Sequence, residues 1–226
     1  MKEIGVVLSG CGAQDGSEIH EAVITLLSLD RAGAHAKIMA PDMDQLHVIN
    51  HLSGKTMESD RNTLIESARI ARGNIVPIDT VKGEDIDAII FPGGTGMAKN
   101  IFDYTLVGRE FTVVPEVERI IIELLKLGKP IGAICIAPVM IAKILQNMGK
   151  NGTVTVGFNQ QFKKDVETMG VNTEQVGAEN IVVDNINKIV STHGAEAVAA
   201  FGVGLRIESL ATVGIIAISS SLSSFS

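Results

Sequence analysis

The sequence lacks tryptophan altogether and has one tyrosine and two cysteines in 226 residues. With so few aromatic rings, there is little on which exposed nucleic-acid bases can stack. Basic residues number 19 against 26 acidic ones, a formal net charge of −7, and no Lys/Arg cluster occurs. That argues against an electrostatic footprint on DNA or RNA. Cys11 and Cys135 have no metal-ligand spacing and frame neither a disulfide scaffold nor a zinc site, so no metal is expected. No uninterrupted apolar stretch reaches membrane-spanning length. Met1-Lys2-Glu3-Ile4 runs straight into a strand, with no signal or transit segment. These absences predict a soluble, cytoplasmic protein without nucleic-acid or membrane partners.

What is present is alternation. Apolar strand-like runs occur at Ile4–Leu8, Ala36–Ala40, Ile75–Ile78, Asp87–Phe91, Lys129–Ile134 and Thr153–Val156. Helical spacing falls at Ser17–Arg31, Thr63–Arg72, Met97–Phe102, Val114–Leu127, Ile136–Leu145 and Gln160–Met169, and again from Ala195. Pro41–Asn62 reads as a polar, irregular segment, and Ile181–Val190 as a hairpin turning near Asp184-Asn185. Apolar strands flanked by helices imply an α/β fold, a mostly parallel sheet covered on both faces. A chain 46% hydrophobic supports one domain over residues 1–218, followed by a serine-rich tail at 219–226 expected to be disordered.

Chemistry concentrates at three predicted strand ends, where such sheets bind ligands. Cys135 sits between a strand and a helix that tolerates Pro138 in its first turn. On that sharp turn the sulfur can face solvent while the helix N-terminus favours a thiolate, the geometry of a nucleophile elbow. The alternative is a small buried hydrophobe. Gly93-Gly94 lets backbone approach a ligand, and with the Ile136 N–H it would form an oxyanion hole. A phosphate loop is the competing reading, but neither this run nor Gly10-Cys11-Gly12 completes a nucleotide-binding glycine pattern. Glu18, His20 and Glu21 open the first helix. Glu18 has helix capping as its default role, with Ser17. A carboxylate beside a thiol can instead exchange a proton with it. His20, His47 and His51 are candidate helpers, but each reads first as an ordinary loop or helix-surface histidine.

Several of these segments carry a resemblance. Gly10-Cys11-Gly12, Asp15-Gly16-Ser17-Glu18-Ile19-His20-Glu21-Ala22-Val23, Ala40-Pro41-Asp42, Glu66-Ser67-Ala68-Arg69-Ile70-Ala71-Arg72-Gly73, Phe91-Pro92-Gly93-Gly94 and Ala133-Ile134-Cys135-Ile136-Ala137-Pro138 resemble the ElbB family, in order, over about residues 4 to 192. That family is the amidotransferase-like branch of the PfpI/ThiJ superfamily. The resemblance implies a flavodoxin-like three-layer sandwich, similar to class I glutamine amidotransferases. It also implies a nucleophilic cysteine beside a helix-borne glutamate. Counting back from Arg31-Ala32-Gly33 places that role on Glu21, whereas a one-turn shift would place it on Glu18. Cys11, Glu18 and His20 are then supporting residues around the Cys135–Glu21 pair, and Gly93, Gly94 and Ile136 its backbone donors.

The departures limit the chemistry. Ile136 stands where related enzymes often have histidine after the cysteine, and His193 and Glu196 are three apart instead of forming His-x-Glu. That argues against peptide or glutamine hydrolysis. The resemblance implies instead a glyoxalase-type lyase acting on glyoxal or methylglyoxal without metal, glutathione or other cofactor, and a homodimer. Two other readings remain: a cysteine redox sensor that binds a partner, and a vestigial amidotransferase-like domain linked to isoprenoid metabolism.

Overall fold

Strand β1 (Glu3–Val7) buries Ile4 and Val6 on one side and Val7 on the other. The same split divides Ala88 and Ile90 from Ile89 and Phe91 in β6 (Ala88–Phe91), and Ile134 from Ile131 and Ala133 in β7 (Ile131–Ile134). Because successive side chains point to opposite faces, uninterrupted apolar strands require cover on both sides. The computed structural model, which describes residues 1–177 and 180–193, supplies it. On one face, α1 (Ile19–Arg31) and α2 (Thr63–Ala71) contribute Ala22, Leu29 and Ala71. On the other, α5 (Pro115–Leu127) and α6 (Ala137–Asn147) contribute Val117, Ile120, Ile121, Leu124, Val139 and Met140. Proline in the first turn of α5, acidic Glu116 and Glu118 there and Lys126 in the last turn all suit the helix termini.

The remaining elements are β2 (His35–Ala40), β3 (Ile49–Asn50), β4 (Lys55–Thr56), β5 (Val76–Pro77), α3 (Met97–Asn100), α4 (Tyr104–Val107), β8 (Thr153–Val154), α7 (Gln160–Thr168), β9 (Asn172–Thr173), β10 (Val182–Asp184) and β11 (Ile189–Thr192). Seven strands form one sheet in the order β10-β11-β7-β6-β1-β2-β5. All its pairings are parallel except β10 with β11. This is the flavodoxin-like α/β sandwich anticipated. From β1 the chain builds outward to β2 and β5, and from β6 in the opposite direction to β7 and β11. The carboxyl ends of β1 and β6 therefore flank the switch in strand order, where such sheets bind ligands.

Several boundaries differ from the sequence reading for physical reasons. Helix α1 starts at Ile19, since the Ser17 hydroxyl is committed to the Ser9 amide at 2.9 Å and Glu18 takes over the cap. The polar segment 41–62 contains the β3–β4 hairpin. Helix α3 stops at Asn100, whose side chain reaches away to Ser9 and Asp15. Strand β8 ends at Val154 because the next amide, of Thr155, donates to the Ser191 hydroxyl. The 181–190 hairpin turns as expected, with the Asp184 carboxylate accepting from the Ile186 and Asn187 amides. The helix expected from Ala195 and the 219–226 tail lie outside the described residues. Among the described residues, no helix is long and apolar enough to cross a membrane.

Candidate active site

Cys135 follows the last residue of β7 and adopts φ +61°, a left-handed backbone that non-glycine residues rarely take. Such strain persists where its surroundings over-determine it. Here the Cys135 amide donates to the Thr192 carbonyl at the end of the neighbouring β11, at 2.9 Å, and α6 begins two residues later. The half-buried thiol hydrogen-bonds with the carboxyl of Glu21.

Glu21 projects from the first turn of α1 and is 1% exposed. Its Oε2 accepts from the Gly93 amide, beyond β6, at 2.7 Å. Burial pushes its carboxyl up from the usual 4.5 to about 7, helped by the nearby charge of Glu18 and opposed by the Gly93 and Cys135 hydrogen bonds. Glu18 faces elsewhere: its Oε2 accepts from the Glu21 amide at 2.7 Å, capping α1, and its Oε1 pairs with the exposed His20 Nδ1 at 3.1 Å. Of the two glutamates, the structure therefore brings Glu21 to the thiol and Glu18 to the helix end.

The glycine assignments need two corrections. The Gly93 amide cannot serve an oxyanion, because it is engaged by Glu21. The amides of Gly94 and Ile136 meet no acceptor among the described residues. The glycine that makes room for the reacting groups is Gly93, not Gly94. A Cβ on Gly93 would lie 2.5 Å from the Cys135 Cβ and 2.9 Å from Glu21 Oε2. A Cβ on Gly94, at φ +121°, would instead strike the Gly16 carbonyl at 2.5 Å and the Glu18 amide at 2.7 Å.

Cys11 lies among a different set of charges. The charges around it are Glu66, Arg69, Asp15 and Arg61, none of them in the Cys135–Glu21 pair, and burial pushes its thiol above its ordinary range. His51 lies over the loop after β1, with Nε2 3.3 Å from the Gln14 amide and 3.6 Å from Asp15 Oδ1. His47 offers its backbone carbonyl to Gln45 Nε2 at 3.4 Å. His193 follows β11, its Nε2 2.8 Å from the Val176 carbonyl and its ring edge-on to Phe158. Glu196 lies outside the described residues.

Sequence reasoning missed the clamp around residues 9–17. Asn100 Nδ2 donates to the Ser9 and Asp15 carbonyls, both at 2.9 Å, and Ser67 Oγ accepts from the Gly10 amide at 2.8 Å. Asp15, 3% exposed, accepts from the Ile49 amide at 2.7 Å. A Cβ on Gly96 would come within 1.8 Å of the Gly16 amide, so the loops after β1 and β6 touch backbone to backbone. The Gly16 and Gly96 pair was the available signal, but glycine spacing alone does not say which two loops meet. Among the described residues, no group of three His, Cys, Asp or Glu side chains is placed to hold a metal.

An acid on the first helix, a glycine loop and a strained cysteine elbow stand together, on a fold with known relatives. The model of the DJ-1/PfpI family matches residues 11–206. The chain belongs to the DJ-1/PfpI family. Human glutamine amidotransferase-like class 1 domain-containing protein 3, mitochondrial, is 44% identical over 199 residues, covering 84% of this chain and 73% of that protein. The ES1 protein, mitochondrial, of Danio rerio is 33% identical over 206 residues, covering 84% and 75%. A crystal structure of an isoprenoid biosynthesis protein with amidotransferase-like domain from Ehrlichia chaffeensis superposes with a TM-score of 0.82. It is 33% identical, covering 92% of this DJ-1/PfpI chain and 98% of that one. These relatives share the superfamily implied by the sequence without bearing the ElbB name. They also overturn the cytoplasmic expectation, since the curated relatives are named mitochondrial proteins. Plain reading of Met1–Ile4 as the start of a strand carried no information on compartment.

Proposed function

We propose that the chain is an ElbB-type member of the DJ-1/PfpI family, acting as a cofactor-independent glyoxalase that converts glyoxal or methylglyoxal to the 2-hydroxy acid. The observation that carries this reading is the hydrogen bond between the Cys135 thiol and a buried Glu21 whose carboxyl titrates near neutrality. A group poised near the working pH can both give and take a proton.

The pair shares one proton, and with it on Glu21 the Cys135 thiolate adds to the aldehyde carbon and Glu21 protonates the resulting alkoxide to give a hemithioacetal. The Gly94 and Ile136 amides stabilise the oxyanion as it forms. Glu21, now a carboxylate, removes the proton from the former aldehyde carbon while solvent protonates the adjacent carbonyl oxygen, giving an enediol. Glu21 then returns its proton to that second carbon as the hydroxyl on the first carbon loses its proton to solvent, which leaves a thioester of the 2-hydroxy acid. One carbon has been oxidised and its neighbour reduced, so no external redox partner enters. Water then cleaves the thioester, releasing glycolate or lactate and restoring the thiol.

The test is steady-state turnover of both aldehydes by purified protein, with Cys135→Ser as control. Turnover abolished in the variant is expected. No turnover by the wild type overturns the assignment and favours a redox or binding role, and equal turnover by both proteins removes Cys135 as its nucleophile. The expected homodimer belongs to the same proposal, and sedimentation equilibrium measures it directly.

A further inference from the structure

Three hydrogen bonds close a ring behind the thiol. The Glu18 amide donates to the Gly93 carbonyl at 2.8 Å, the Gly93 amide donates to Glu21 Oε2 at 2.7 Å, and the Glu21 amide donates to Glu18 Oε2 at 2.7 Å. A plain helix cap needs only the last of these. The other two tie the capping residue, through one glycine, to the carboxyl that meets Cys135. The Glu18 side chain is 18% exposed, so its charge is only partly screened by water.

We propose that Glu18 is a positioning residue of the site, whose carboxylate keeps the proton on Glu21 opposite the Cys135 sulfur. It rests on reading Glu21 and Cys135 as one proton-sharing pair. The ring fixes where the two carboxyl groups sit relative to one another, because neither can turn away without losing a backbone partner. Two carboxylates held close cannot both ionise cheaply. Glu21, 1% exposed, is the one whose ionisation costs more, so it keeps the proton. The groups bearing on Glu21 are Glu18 at the start of α1, the Gly93 amide beyond β6 and the Cys135 thiol beyond β7. His20 pairs with the far oxygen of Glu18 from a largely exposed position, where solvent weakens its influence. This arrangement gives the supporting role expected of Glu18 a definite physical form, a fixed charge beside the buried acid.

The experiment follows the carbonyl stretch of the protonated Glu21 carboxyl by infrared difference spectroscopy across pH, with Glu21→Gln as the baseline. Glu18→Gln keeps a capping oxygen for the Glu21 amide and removes the charge. Its midpoint is expected to fall by roughly 0.5–1 on the pH scale. Glu18→Asp retains charge and cap and is expected to leave the midpoint near that of the wild type. Glu18→Ser, a neutral residue that caps well, repeats the test should the glutamine variant not fold. A merely structural cap would lower the melting temperature and leave the midpoint unmoved. An unmoved midpoint in a folded neutral variant therefore overturns the proposal. So does loss of fold in both neutral variants with Glu18→Asp folded, which assigns the Glu18 charge to folding instead of to the proton on Glu21. Turnover does not enter this measurement. A wild type inert towards glyoxal sinks the glyoxalase reading and leaves this one standing, and an unmoved midpoint does the reverse.

Discussion

Replacing Glu21 by glutamine should change how stability responds to pH, and the structure sets the size of the change. The folded chain raises this carboxyl from 4.5 to about 7, chiefly because the group is buried. Below the unfolded value, both states carry the proton and nothing is lost. As pH rises from there to about 7, the folded state holds a proton that the unfolded state has released, so stability falls. Above the folded value the whole cost is present. The span, at roughly 1.4 kcal/mol per pKa step, amounts to about 3 kcal/mol. Glutamine cannot ionise, yet its carbonyl can still accept from the Gly93 amide. Glu21→Gln should therefore match the wild type near pH 4 and exceed its stability by up to about 3 kcal/mol near pH 8, on the order of 6–12 °C in Tm. Urea unfolding of both proteins at closely spaced pH values reads this out as two curves that diverge above the acid range. Parallel curves would refute the argument that Glu21 is held protonated by its surroundings. The same variant should lose about 10²-fold or more in aldehyde turnover, the scale of lost acid–base catalysis. A protein made more stable and less active by one atom's change is a stringent combination.

Iodoacetamide near neutral pH should label Cys135 faster than Cys11, whose thiol is pushed up by burial and by Glu66. Peptide mass spectrometry measures the two rates, and equal rates would remove the distinction between the thiols. Gly93→Ala places a methyl group 2.5 Å from the Cys135 Cβ and should cost turnover about 10²-fold through misplacement, against a smaller change in melting temperature. Gly94→Val should instead lower the melting temperature first, as it forces apart the loops after β1 and β6. A Gly94→Val protein with wild-type stability contradicts the backbone contact.

The sheet was legible because its strands are apolar on both faces, a pattern only a doubly covered parallel sheet explains. The elbow was legible because strand, cysteine and proline-bearing helix lie in one continuous stretch. Choosing Glu21 over Glu18 required the end of the first helix as a ruler; in the structure Glu18 caps the helix and Glu21 meets the thiol. What could not be read were relations between distant segments. That Gly93 donates its amide to Glu21 separates two residues 72 positions apart. That Asn100 grips Ser9 spans 91, with nothing local to mark it. Short elements such as α4 and β3 escaped because four- and two-residue pieces carry no periodicity.

The anchor of Cys135 on the Thr192 carbonyl has a consequence for how the protein is made. A chain emerging from the ribosome presents Glu21 first, then Gly93, then Cys135, and only 57 residues after the cysteine the carbonyl that fixes its left-handed backbone. Until β11 docks beside β7, in register Thr192 to Ile134, nothing on that side restrains the turn. Order of synthesis thus becomes order of arming. The left-handed pose at Cys135 is completed by the last strand among the described residues.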